Sequence, residues 1–275
     1  MIDSAEVERR TGWRVVAYPV VASTNDEIAA LRDAGAAPRV VVVADRQWAG
    51  RGRGGRRFES PAGGLYASLL VSARTADLPA PLIAAVAVAL AEAIEALVLV
   101  EAKVKWPNDI WLGGKKVAGI LTEASLSAAP SAPRTSVIVG VGVNVAGVPP
   151  DLPADVAAET TALDVVRGGV RGRTGDTANH AAPTRREDLL AEFLNRLDDR
   201  LFALERPDAR DALEIAYRDR LALRGEAIGF HAADGVVYGV LVDASLERGL
   251  LVRARSGVER WWSAALVRDV RPAKA

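Results

Sequence analysis

Cysteine is absent from the 275 residues and histidine occurs twice, as His180 and His231. A chain without thiols has no disulfide, no thiolate metal site, no thioester intermediate and no nucleophilic cysteine. Two histidines so far apart offer no metal-ligand pair and complete no Ser/His/acid triad, which leaves zinc and serine-hydrolase readings weak. Neither sign of charge is in excess, with Lys+Arg 35 against Asp+Glu 35. That balance argues against general attraction to nucleic acid or to an acidic membrane, both of which need surplus positive charge. From Met1 to Thr11 the chain carries Asp3, Glu6, Glu8, Arg9 and Arg10 and lacks the apolar run of a secretory signal, so a cytoplasmic protein is expected. The most apolar stretch, Leu82 to Val100, contains Glu92 and Glu95 and begins beside Pro79 and Pro81. It reads as a buried helix and not as a membrane span.

The length permits a substantial core, in one large domain with or without a small one. Strands and helices alternate from Val15 to Val145. Buried strands are expected at Val40–Ala44, Leu65–Val71, Val117–Thr122 and Val137–Val145, each an apolar run bounded by Gly, Pro or charge. A helix is expected to open at Ser23-Thr24, with Thr24 and Glu27 as its capping box, and another to span Leu82–Val98. Ser125–Ser136 and Arg167–Pro183 read as loops, the second as disordered. Helical spacing returns over Leu189–Leu204 and Ala209–Leu223. After Gly225 come short strands, at Ala227–His231, Val236–Val242, Leu250–Arg255 and Arg260–Ala264, the pattern of a small appended barrel.

Four motifs carry candidate chemistry. In the run from Gln47 to Phe58, Gly50, Gly52 and Gly55 satisfy G-x-G-x-x-G after a strand. The dinucleotide reading fails because no helix can open promptly through Arg56, Arg57, Pro61 and Gly63-Gly64. Glycines interleaved with Arg51, Arg53 and Arg56 instead suit a loop closing over an anion with guanidinium forks, and equally suit a solvated basic turn or a nucleic-acid patch. Lys105-Trp106-Pro107-Asn108-Asp109, followed by Gly113-Gly114-Lys115-Lys116, is a hairpin mouth where Lys105, Asp109 and Lys116 converge on a phosphoryl group, or an ordinary hairpin with surface lysines. It is no Walker A, since Lys115 is followed by Lys. Ser23-Thr24-Asn25 holds a neutral polar ligand or simply caps a helix. The glycines of Gly140-Val141-Gly142-Val143-Asn144 admit close approach of a ligand or of another backbone, or mark a bulge.

Taken together and in this order, STN, QWAGRGRGGR, SPAGGLYASLL, KWPND with GGKKVAGIL, and GVGVNV resemble the catalytic domain of biotin protein ligases over Val21–Val145. The tail, including Gly257–Trp262, matches that family loosely. The resemblance implies an α+β fold, with a class II aminoacyl-tRNA synthetase-like mixed sheet flanked by helices over 1–222 and a small SH3-like barrel over 223–275. It implies a biotin site of Ser23, Thr24, Asn25, Gln47, Gly50, Arg51, Gly52, Arg53 and Lys116. For ATP it implies Arg51, Arg53, Arg56, Phe58, Lys105 and Asn144, with Asp109 for magnesium and with Lys116, Arg51 and Arg53 as the catalytic groups. Lys116 would bridge the biotin carboxylate and the α-phosphate. Gly54 and Phe58 depart from the family, which commonly has a basic or polar residue and a tryptophan there.

The chemistry so implied brings two anions together. The biotin carboxylate attacks ATP to give biotinyl-5′-AMP and pyrophosphate, and a lysine of a biotin carboxyl carrier protein then attacks the mixed anhydride, with no enzyme nucleophile. A monomer or weak homodimer is expected. The motif begins too early to leave room for a preceding DNA-binding domain, so no repressor role is expected. The alternatives are a lipoate protein ligase, a biotin-sensing regulator, or a binder acting on RNA through RGGVRGR.

Overall fold

The computed structural model describes residues 1–74, 80–124, 134–174, 182–233, 235–263 and 266–273. Seven strands form one sheet: β1 (Arg14–Val21), β2 (Val40–Gln47), β3 (Leu65–Arg74), β4 (Ala102–Lys105), β5 (Asp109–Leu112), β6 (Lys115–Ala124) and β7 (Arg134–Val143), in the order β1-β2-β3-β7-β6-β5-β4. β1 runs parallel to β2 and every other pair is antiparallel, so the sheet is mixed. The helices are α1 (Ser4–Thr11), α2 (Thr24–Asp33), α3 (Ala80–Val98), α4 (Ala154–Ala158), α5 (Leu163–Thr174), α6 (Arg186–Glu205) and α7 (Pro207–Asp219).

Alternation along the strands divides the sheet into two unlike faces. Val41, Val43, Leu69, Val71 and Val139 enter the main core with residues of α3 and α6. Val40, Val42, Leu70 and Ile138 point the other way and cluster with Ile28 and a few partly buried neighbours on β1, on α2 and just after it. α3 is long and apolar enough to cross a membrane, yet 78% of its most apolar window is buried inside the protein. Its alanines let it lie close against the sheet, and Glu92 is met by Arg200 of α6 at 2.5 Å. The apolar stretch is therefore the core helix expected from its sequence; Pro79 lies outside the described residues.

The second face holds the site. Short of the cover given by α2, its positions are Ser68 in β3, Gly140 and Gly142 in β7, and Gly119, Leu121 and Glu123 in β6, placed side by side by the pairings Ser68↔Gly140, Leu121↔Gly140 and Gly119↔Gly142. A sheet floor made of glycine and serine leaves open the space that valine and leucine fill elsewhere.

Five antiparallel strands, β8 (Ala227–Ala232), β9 (Gly235–Ser245), β10 (Gly249–Arg253), β11 (Glu259–Trp262) and β12 (Arg268–Pro272), form a second sheet in the order β11-β10-β9-β8-β12. Its core includes Phe230, whose ring meets Trp262 edge-on at 5.2 Å. The sequence pattern does not announce β12, and Ala264, the expected end of β11, lies outside the described residues.

Two local expectations are corrected. The segment from Arg167, read as a disordered loop, is helical as far as Thr174; residues 175–181, with Asp176 and His180, lie outside the described residues. Tertiary anchoring overrides the low helix propensity of Gly168-Gly169. The first turn of α5 hangs from the end of β7 by Leu163 N–H on Asn144 O and Asp164 N–H on Val145 O, and Leu163 is fully buried. The other correction concerns α2: its N-cap is Ser23, not Thr24, with Ser23 Oγ accepting from Asn25 N–H at 3.3 Å. The expected loop at Ser125–Ser136 lies outside the described residues from 125 to 133, and its last three residues begin β7.

Candidate active site

A cavity of about 1020 Å³ opens over the glycine floor, of the size that encloses a small-molecule ligand. One end is neutral and buried. Because Ser23 does the capping, Thr24 is free to turn inward. Gln47, at the last position of β2, accepts from Thr24 N–H at 2.8 Å and lies 3.1 Å from Thr24 Oγ1, while its Nε2 donates to Ser60 Oγ at 2.9 Å. The hydroxyl of Ser68, fully buried on β3, lies 2.7 Å from Thr24 Oγ1 and 2.5 Å from Asn25 Oδ1. Asn25 Nδ2 donates to Glu123 Oε2 at 3.0 Å. A Cβ on Gly140 would fall 2.5 Å from Asn25 Oδ1, which is why the strand is bare there. Buried polar groups cost free energy unless paired, and these pair with one another around the space a ligand would take.

The other end is cationic. The loop 48–59 rises from β2 and returns through the bridges Arg51↔Arg57 and Gln47↔Ser60. Gly50 does not line the cavity: it lets the loop cross itself, since a Cβ there would lie 2.5 Å from Phe58 O. Arg51 and Arg53 line the cavity together with Gly52 and Arg56. Arg51 is paired with Asp26 at 2.8 Å, and this bond holds it more firmly in its charged form. Arg53 donates to Asn108 Oδ1 at 3.1 Å, and burial shifts its pKa down. Arg56 pairs with Asp269 of β12, whose carboxyl is held below the usual range by that guanidinium. Val267, Arg268 and Val270 join Asp269 on the cavity wall, so the second sheet completes the site.

Lys105 and Asp109 are register partners on β4 and β5, and Lys116 near the start of β6 reaches Asp109 at 2.8 Å. The expected convergence across the hairpin mouth is present. The two lysines differ: Lys116 is neutralised by Asp109, whereas desolvation lowers the pKa of Lys105, more than the charge of Asp109 restores it. The Phe58 ring rests on the glycine floor, where a Cβ on Gly142 would come within 2.5 Å of it, and Lys116 Nζ lies 5.8 Å from its centroid. Asn144 is not brought to the cavity wall; its Nδ2 donates to Thr161 O at 3.1 Å beneath the site.

Sequence reasoning misses Ser68, Asn108, Glu123 and Asp269. Ser68 and Glu123 do carry a signal: a lone serine in an apolar strand, and a carboxylate on the same alternation as Gly119 and Leu121. Asn108 sits within a motif singled out for its neighbours, while nothing local marks Asp269. Among the described residues no three of His, Asp and Glu gather as a metal site.

The arrangement defines a class: a receptor for an elongated molecule with a neutral hydrogen-bonding head and an anionic tail. Residues 17–144 match the Biotin/lipoate A/B protein ligase family. The chain is 33% identical over 239 residues to a biotin–[acetyl-CoA-carboxylase] ligase from Paracoccus denitrificans, covering 86% of this chain and 92% of that one. With the bifunctional ligase/repressor BirA from Bacillus subtilis it shares 36% identity over 169 residues, 60% of this chain, and spans only 50% of that relative's length. The fold is similar to that of a biotin protein ligase from Aquifex aeolicus solved in complex with biotin and ATP, at a TM-score of 0.76 and 24% identity over 94% of this chain and 99% of that one. The chain belongs to the biotin protein ligases of the Biotin/lipoate A/B protein ligase family.

Proposed function

We propose that this chain is a ligase that activates biotin with ATP and transfers it to a lysine of a biotin carboxyl carrier protein of the acetyl-CoA carboxylase type. One observation carries the reading: a single cavity joins a buried neutral pocket, built by Thr24, Asn25, Gln47 and Ser68, to a cluster of Arg51, Arg53, Arg56, Lys105 and Lys116. Biotin has that polarity, a cyclic urea at one end and a carboxylate at the other. The names of the relatives support the same substrate and acceptor.

In the first step a carboxylate oxygen of biotin attacks the α-phosphorus of ATP, the bond to the β-phosphate breaks, and pyrophosphate leaves with its electron pair. Ser23, Thr24, Asn25 and Gln47 hold the urea head, with Gly52 letting the loop lie close. Arg51, Arg53 and Arg56 take the charge of the phosphates, and Phe58 lies beside the nucleotide. Cations in a site shielded from water attract anions far more strongly than in solution. Burial lowers the pKa of Arg53 and of Lys105, a cost that an incoming anion would offset. Lys105 lines the same cavity wall as Lys116 and stands with it at the bridge between carboxylate and α-phosphate. Asp109 would offer one carboxylate to a magnesium ion arriving with ATP, which would offset part of the charge of the phosphates. Asn144 supports the adenine side from below. In the second step the neutral amine of the carrier lysine attacks the acyl carbon and AMP departs, while the loop over the anhydride keeps water out.

The mixed sheet is read as class II aminoacyl-tRNA synthetase-like, with a catalytic domain over 1–222 and an SH3-like barrel over 223–275. A cytoplasmic monomer or weak homodimer, acting on neither DNA nor membranes, completes the reading. Incubation with biotin, MgATP and a carboxyl carrier domain tests it: mass spectrometry is expected to find biotin on one carrier lysine. Modification by lipoate instead would move the chain to the lipoate ligases, and none with either acid would contradict ligase activity.

A further inference from the structure

We propose that Glu123 is a positioning residue that holds the amide of Asn25 in one of its two orientations and thereby sets the direction of the hydrogen bonds throughout the neutral pocket. The inference rests on the reading of the cavity as a biotin site. An asparagine amide offers an oxygen and an NH₂ of nearly equal size, and its surroundings decide which faces where. A carboxylate only accepts, so Glu123 Oε2, 3.0 Å from Asn25 Nδ2, draws the NH₂ and leaves Oδ1 facing Ser68 at 2.5 Å.

Proton supply fixes the remaining bonds. Asn25 Oδ1 cannot donate, so the single proton of Ser68 goes to it. With that proton spent, the 2.7 Å contact between Ser68 and Thr24 can be filled only by the proton of Thr24, and the 3.1 Å contact of Thr24 Oγ1 with Gln47 Oε1 then carries none. Gln47 Oε1 is left to accept from Thr24 N–H at 2.8 Å, and the NH₂ of Gln47 turns to Ser60 Oγ at 2.9 Å. One acceptor at the rim thus orders a chain that crosses β6, α2, β3 and β2. A cyclic urea presents one carbonyl and two N–H groups in a fixed arrangement, and a wall whose donors and acceptors could interchange would match it only part of the time.

Glu123 also meets Arg51, at 3.6 Å, but that guanidinium is held chiefly by Asp26, at 2.8 Å. Removing the carboxylate leaves Arg51 anchored and releases only the amide. The bare Gly140 against Asn25 allows the side chain to sit where Glu123 can reach it.

Calorimetric titration of biotin without ATP, on the full chain, tests this with Glu123→Ala, Glu123→Gln, Asn25→Ala and the Glu123→Ala/Asn25→Ala double variant. Glu123→Ala is expected to weaken biotin about tenfold, the scale of a hydrogen bond to a charged group. Its kcat for biotin-dependent pyrophosphate exchange, at saturating biotin, and its KM for ATP are expected to stay within about twofold. Glu123→Gln keeps an acceptor in place and is expected to recover to within about threefold of the parent. The double variant should bind no more weakly than Asn25→Ala, since both changes act on one group. A Glu123→Ala protein that binds biotin within twofold of the parent, or losses that add in the double variant, would overturn the proposal. A parent chain that binds no biotin at all would overturn the functional reading itself, and is told apart by the first titration.

Discussion

The two ends of the cavity are built on opposite plans. At the neutral end Thr24, Asn25 and Ser68 are buried and satisfied by one another and by Gln47, on β2, β3 and the first turn of α2. At the cationic end the side chains come from a loop and strand ends, and Arg51, Arg56 and Lys116 are each held by a carboxylate of the protein, from Asp26, Asp269 and Asp109. The first end is preorganised, so a ligand replaces little. On the function proposed above, the second is an exchange site, where an arriving polyphosphate would displace the acids that hold the cations. Specificity would then belong to the rigid end and charge neutralisation to the exchangeable one.

The sharpest way to break this comparison is at Lys105, the lysine of the cationic end for which no carboxylate partner within salt-bridge distance is found among the described residues. Lys105→Met keeps the apolar stem and removes the charge. The rate of pyrophosphate exchange is expected to fall on the order of 10²- to 10³-fold. Stability should move the other way. Burial places the folded pKa of Lys105 below its unfolded value, so folding disfavours the bound proton. That penalty is complete at pH values below the folded pKa and fades as pH rises toward the unfolded one. Lys105→Met is therefore expected to melt no lower than the parent at neutral pH, with any advantage shrinking at alkaline pH. A melting point well below the parent's would show the ammonium to be a structural support.

Ser68→Ala probes the rigid end and ranks next. It leaves Thr24 and Asn25 without their shared partner in a buried setting, a loss of about 1–3 kcal/mol that should weaken biotin on the order of ten- to a hundredfold. The turnover of bound biotin should change much less. Equal losses in kcat and in affinity would mean that the neutral pocket also shapes the transition state, and the division between the two ends would fail.

Asp269→Ala is the mildest test. The Arg56–Asp269 pair is largely exposed on the guanidinium side, where ion pairs contribute little, at most about 1 kcal/mol. With its holding acid gone, Arg56 is expected to bind ATP somewhat more tightly, by about twofold in KM. A large loss of ATP affinity instead would assign Asp269 to the ligand rather than to the storage of Arg56.

How far the sequence reveals these two ends follows from how local each is. The loop and hairpin residues of the cationic end stand together in short motifs, so Arg51, Arg53, Arg56, Lys105 and Lys116 are legible from sequence alone. The strands of the large sheet are legible because apolar runs of β-branched residues have few other uses. The neutral end is assembled across strands: Ser68 and Glu123 join Asn25 only because β3, β7 and β6 lie side by side, and that order appears in no single window. The role of Thr24 is ambiguous in sequence for a related reason. Either Ser23 or Thr24 can cap α2, and only the tertiary pull of Gln47 and Ser68 decides that Ser23 does. The return of β12 to the cavity is likewise a matter of topology, and α5 owes its helix to anchors at the end of β7.

The central claim is that one cavity joins a biotin head-group pocket to an adenylating centre. Biotin-dependent exchange of labelled pyrophosphate into ATP tests it most directly, with lipoate run in parallel and Lys105→Met and Lys116→Ala as companions. Exchange with biotin, absent with lipoate and lost on the order of a hundredfold or more in Lys105→Met, is the predicted result. Exchange supported by lipoate and not by biotin would contradict it.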